Sequence, residues 1–197
     1  TIHARRGVNG PLGPLPDLLA VAVAPAGESL DDPSIIEHAG RVLLLVRHAF
    51  ADGETQLELW RSQGSEQSTL RDLAPAPASN LDSLTRVAGA LSQQEQRRAP
   101  HLSVRGGTYR VHNERRVGTR GVIDVLTGDE LRAFRPLGEA LLPREGAQDA
   151  VSVGSPSALH TSDGVERLYY SGRDGLVERL FVAERAGVLD PMSLRGL

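Results

Sequence analysis

Three segments of this chain share one build: a proline-led strand, a glycine turn, a second strand, a glycine or polar turn, and a third strand. They read DPSIIEHAGRVLLLVRHAFADGETQLELWRS from Asp32, APHLSVRGGTYRVHNERRVGTRGVIDVLTG from Ala99, and SPSALHTSDGVERLYYSGRDGLVERLFVAER from Ser155. The prolines are Pro33, Pro100 and Pro156; Gly40, Gly107 and Gly164 mark the first turns, and Gly53, Gly118 and Gly175 the second. The spacing of roughly 55 to 70 residues is that of a repeated small sheet, which cannot bury both faces alone and must stack on its neighbours. The expectation is an all-β chain: a β-propeller-like array of about three antiparallel blades.

The strand signals inside the repeats are period-two or fully apolar. Arg41 to His48 is a buried run, Thr55 to Arg61 alternates polar and apolar, and Glu166 to Ser171 and Val177 to Val182 repeat the pattern in the third copy. Residues 1–17 are rich in proline and glycine and are expected to form an extended N-terminal arm. Residues 18–197 are expected to form the propeller-like domain, with blades at about 31–91, 92–141 and 142–191. Leu81, Leu84, Val87 and Leu91 sit at helical spacing, yet LDSLTRVAGAL from Leu81 aligns without gaps over LRAFRPLGEAL from Leu131, which carries Pro136 and Gly138. Both stretches are therefore expected to be outer edge strands with a crossover, with a short helix at 81–91 as the alternative.

Composition narrows the function classes. A net charge of −3 leaves no global basic field, so nucleic acid is not an expected partner. With no cysteine in 197 residues there is no disulfide framework, thiolate metal site or cysteine nucleophile. The six histidines show no ligand spacing, and the Asp-Gly pairs near 163 and 174 read as hairpin turns, so no metal or cofactor is expected. No apolar run approaches the roughly 20 residues of a membrane-spanning helix, and a soluble chain is expected. Thr1 is compatible with a processed export signal, with another removed segment or with a partial sequence; an extracytoplasmic location, secreted or periplasmic, is the expectation carried forward.

The crossover pattern, the buried x-Pro-Ser strands and LYYSGRDG from Leu168 together resemble the five-bladed glycoside hydrolase superfamily of arabinanases, levansucrases and invertases. The resemblance covers about Leu18 to Pro191, and it implies that the three blades are part of a five-bladed propeller. It implies a carboxylate at the start of an innermost strand, acting as base or nucleophile, with a supporting Asp and an acid Glu from other blades. Asp32, in Asp-Pro-Ser, matches the base or nucleophile; the equivalent positions of the other copies are Ala99 and Ser155, neither of which can act as an acid. One carboxylate does not perform the two-carboxylate reaction. The expectation is thus a non-catalytic propeller-type domain that binds carbohydrate or packs as a subunit of a larger assembly. The alternative is a fragment of an active glycoside hydrolase with Asp32 as base or nucleophile and the acid Glu elsewhere.

Trp60, Tyr169, Tyr170 and Arg173 are the substrate-binding candidates, the aromatics as a sugar-stacking platform or else as inter-blade core. The strand ending in Arg47-His48 resembles the phosphohistidine motif of the histidine phosphatases, a second enzymatic alternative; the chain then turns at Asp52-Gly53 and returns as a strand, which points instead to an exposed strand end. Arg115, Arg116 and Arg120, with Arg110 nearby, form the densest basic patch and read as a solvated hairpin tip. The apolar flanks at Leu18 to Val23 and Val177 to Val182 are expected to be covered by a protein partner, by further sequence or by each other.

Overall fold

The computed structural model describes residues 2–4, 19–62, 73–76, 79–89, 94–161, 164–185 and 195–196. The chain is nearly all β, as the repeats require. The first sheet holds β3 (Ser29–His38), β4 (Arg41–Ala49), β5 (Thr55–Ser62) and the short β6 (Leu73–Pro75). The second holds β7 (Glu95–Arg105), β8 (Thr108–Val117), β9 (Arg120–Gly128) and β10 (Arg135–Leu141). The third holds β11 (Ser152–His160), β12 (Glu166–Arg173), β13 (Glu178–Arg185) and β14 (Arg195–Gly196). Each is an antiparallel meander whose first turn glycine, Gly40, Gly107 or Gly164, holds φ between 71° and 86°, the region a hairpin turn needs and a Cβ resists. Ahead of the sheets, β1 (Ile2–Ala4) pairs with β2 (Leu19–Ala22); the rest of the segment expected to be an arm lies outside the described residues.

The sheets stack in chain order. Leu43, Leu45, Leu57 and Leu59 of the first meet Leu102, Val111 and Leu126 of the second in one buried cluster. Ile123 and Leu141 of the second meet Val153, Leu168, Tyr170 and Ala183 of the third in another. The alternation along each strand explains both: odd-numbered leucines of β4 and β5 face the second sheet, whereas Leu44 and Val46 face outward with Ala22, Leu30 and Trp60. Strands β3, β7 and β11 lie innermost and side by side, with β7 in the middle.

The segment after the first sheet departs from expectation. Residues 131–141 do supply an outer edge strand, β10, but the described part of 81–91, which ends at residue 89, does not: Leu81–Thr85 forms a short helix, α1. Its side chains satisfy neighbouring backbone. Thr85 Oγ1 donates to Leu81 O and accepts from Leu57 N at 2.9 Å. Asn80 Nδ2 donates to Phe134 O and Asn80 Oδ1 accepts from Phe134 N, a two-point clamp onto the link that leads into β10. The helical spacing of the leucines was the stronger signal, and β6 is the outer strand instead. Among the described residues no helix is long and apolar enough to cross a membrane.

Candidate functional site

The three innermost strands break register at the same place. The shift falls between Asp31 and Ser34 in β3, between Arg98 and His101 in β7, and between Gly154 and Ser157 in β11. In each, the two residues of the x-Pro dipeptide stand opposite a single residue of the neighbouring strand, Val46, Asn113 or Tyr170, and proline's missing N–H costs no ladder bond. The residue before each proline is left-handed: Asp32, Ala99 and Ser155 have φ of 50°, 43° and 49°. Such a conformation costs a non-glycine residue roughly 1–2 kcal/mol, and its recurrence in all three sheets marks a built feature.

These bulges meet around a cavity of about 260 Å³ lined by Asp32, Pro33, Ser34, Ala99, Pro100, His101, Ser155 and Pro156. Asp32 Oδ2 accepts a hydrogen bond from Ala99 N at 2.9 Å, and Ser34 Oγ accepts from Leu102 N at 3.0 Å, so the first sheet reaches to the second. His101 Nε2 donates to Ala158 O at 3.0 Å, tying the second sheet to the third. Glu114 Oε2 accepts from Ser155 N at 3.3 Å, while its Oε1 pairs with Arg116 Nε. Gly154 makes room for that carboxylate, since a Cβ there would stand 2.3 Å from Glu114 Oε2. Glu114 is buried and does not line the cavity, which leaves Asp32 as the one carboxylate among the described lining residues.

The other sequence candidates lie elsewhere. Tyr169 and Tyr170 are consecutive strand residues and so point to opposite faces of the third sheet, which rules out a shared platform. Tyr170 is fully buried, stacks on Phe181 and donates its hydroxyl to Asp149 Oδ2 at 2.9 Å; burial and that hydrogen bond raise its pKa to about 12. Arg144 holds the same carboxylate through Nε and Nη2, so the loop between the second and third sheets is pinned to the core. Tyr169 is half-buried opposite Ser157 and Val182. Trp60 packs in the outward cluster of the first sheet and donates Nε1 to Glu58 Oε2. Arg173 reaches Thr119 O from the end of β12, beside a water-sized hollow of about 20 Å³. None of the four lines the Asp32 cavity.

Arg47-His48 is not an exposed strand end. His48 is buried, stacked on Phe50, with Nδ1 2.7 Å from Glu58 Oε1 and Nε2 2.7 Å from Glu28 Oε2, so neither ring nitrogen is offered to a phosphoryl group. Arg47 pairs with Asp31. The arginine patch is likewise not a solvated tip in the main: Arg115 pairs with Asp124 and Glu139, Arg116 with Glu114, and Arg110 with Glu166. Two cavity residues escaped the sequence reading, His101 and Ser34. The signal was in the repeat: the position after each proline reads Ser34, His101 and Ser157, a histidine standing in a serine slot.

No protein-family profile matches this sequence, and no curated protein matches it. Solved structures do match in fold. A thermostable family-43 glycoside hydrolase superposes with TM-score 0.59 at 15% identity, over 86% of this chain and 51% of that one. The α-L-arabinanase of Penicillium chrysogenum gives 0.58 at 14%, over 86% and 49%. A family-117 glycoside hydrolase of the marine bacterium Zobellia galactanivorans gives 0.58 at 14%, over 87% and 56%. The chain therefore has the propeller fold found in these glycoside hydrolases, and it spans about half the length of the structures it matches.

Proposed function

We propose that this chain is a propeller-type domain that binds carbohydrate at the cavity between its inner strands without hydrolysing it, within a larger assembly that covers its open flank. The observation that carries the reading is the composition of the cavity: Asp32 is joined there by Ala99 and Ser155 at the equivalent positions of the other two sheets. A glycosidic bond broken by the two-carboxylate route needs an acid as well as a base or nucleophile, and the described lining holds one such group. What remains suits binding. Proline rings offer apolar surface, and Asp32 and Ser34 offer polar groups that fix orientation.

The second reading, a portion of an active glycoside hydrolase with Asp32 as base or nucleophile, is favoured by one fact: the chain spans about half the length of the solved hydrolases it matches. An acid Glu from another segment would then complete the site. Calorimetric titration with arabinobiose, xylobiose and sucrose tests the binding proposal. Saturable binding that weakens at least tenfold in Asp32→Asn supports it; absence of binding for every sugar contradicts it.

A further inference from the structure

The lining of the cavity also contains a group that neither reading uses. His101 sits on β7 one residue after Pro100, and its imidazole bridges two sheets through the Nε2 bond to Ala158 O. A carbonyl oxygen can only accept, so Nε2 carries the proton and Nδ1 is left with its lone pair. Nδ1 has no hydrogen-bond partner among the described residues, and the ring lines the cavity. Asp32 has the same character: Oδ2 is engaged by Ala99 N, and Oδ1 has no partner among the described residues. Ser34 Oγ accepts from Leu102 N and so keeps its own proton to donate.

We propose that His101 is a ligand-contacting residue of this cavity, its Nδ1 and the Asp32 carboxylate accepting from two hydroxyl groups of one polyhydroxylated ligand while Ser34 donates to a third oxygen. The inference rests on the carbohydrate reading and adds a residue and a hydrogen-bond polarity to it. Two acceptors and one donor select for hydroxyl groups over carboxylates or phosphates, which would bring lone pairs against lone pairs. A divalent cation is the other taker of such acceptors, but no group of three His, Cys, Asp or Glu side chains suited to holding one is found among the described residues.

The contact works only with neutral imidazole. Burial, the larger cause, and the neighbouring His160 lower the pKa of His101, against the Ala158 hydrogen bond that raises it. A lowered pKa keeps the ring neutral at pH 7, and acidification replaces the Nδ1 acceptor by a donor. Binding should therefore be constant above about pH 6.5, the ordinary histidine value, and fall below it. The titratable neighbours are Asp32 across the cavity, His112 opposite His101 on β8, and His160 on β11, so the variants must isolate His101 from them.

His101→Gln places an amide nitrogen where Nε2 lies and removes the Nδ1 acceptor; His101→Asn places an acceptor near Nδ1 and gives up the Ala158 bond. The experiment is an NMR titration of histidine-¹⁵N-labelled protein with arabinobiose, xylobiose and sucrose, alongside calorimetry of both variants. The expected result is a shift of the His101 Nδ1 resonance on binding, at least tenfold weaker binding by His101→Gln, and binding by His101→Asn that no longer falls on acidification. If a sugar binds while the Nδ1 resonance stays still, or while His101→Gln binds like the parent, this inference is overturned and the carbohydrate reading stands. If no sugar binds the parent, both are overturned. The NMR arm keeps the test decisive even if a variant fails to fold.

Discussion

Arg110 Nη1 lies 2.7 Å from Glu166 Oε2, an ion pair that joins the second sheet to the third with both side chains no more than 6% exposed. Its partners are desolvated, so removing one is more damaging than removing both. Arg110→Met leaves the Glu166 carboxylate with His112, 3.7 Å away, among its remaining contacts. A loss of about 3 kcal/mol is expected by urea unfolding, and the double variant Arg110→Met, Glu166→Leu should recover most of it. Equal losses in the single and double variants would show that the pair contributes directly rather than compensating for its own burial.

The left-handed residue before each repeat proline offers a second test. Ala99 has φ of 43° and no side-chain bond to defend that conformation. Glycine adopts it freely, at a cost in unfolded-chain entropy of about 0.5–1 kcal/mol. Ala99→Gly should be neutral or stabilise by up to about 1 kcal/mol in denaturant unfolding, keeping the Asp32 hydrogen bond, which uses the backbone N–H. A loss above about 1 kcal/mol would mean that the bulge is held by the Ala99 methyl group rather than by the backbone.

Much of this architecture was legible because it is written in residue types with few alternatives. The repeat prolines mark the bulges and the turn glycines mark positive φ, so three meanders could be placed from them alone. The outer edge of the first sheet was less legible, because an ungapped likeness between 81–91 and 131–141 carried no information about Thr85 satisfying a backbone group of β5 and Asn80 those of Phe134 just before β10. The ion pairs were illegible for a related reason: Arg110 and Glu166 are 56 positions apart and meet only when sheets stack. Asp32 is legible through its motif, whereas His101 is one of six histidines without ligand spacing, and its place as a cavity wall depends on the third sheet supplying Ala158 O.

The far face of the third sheet bears on assembly. Leu180 is 77% exposed and Leu176 fully so, with Val177 half-exposed nearby and Tyr169 and Val182 paired across β12 and β13. On the opposite flank Ala22 packs on the first sheet, so the two flanks are not equivalent. Exposed apolar surface of this kind is what predicts association. Leu180→Glu should lower the sedimentation-measured association of the chain, with itself or with its completing partner, at least tenfold, while stability changes by no more than about 0.5 kcal/mol. Unchanged association would show that this face is simply solvated.

The central claim is that the cavity holds one half of a hydrolytic pair and so binds without cutting. Its most direct test is the release of chromophore from aryl arabinofuranoside, xyloside and fructoside substrates by the 197-residue chain and by Asp32→Asn. The account predicts no turnover above the uncatalysed rate by either protein, because no acid faces Asp32 among the described cavity residues. Turnover by the parent chain that disappears in Asp32→Asn would contradict it and establish Asp32 as the base or nucleophile of an active glycoside hydrolase.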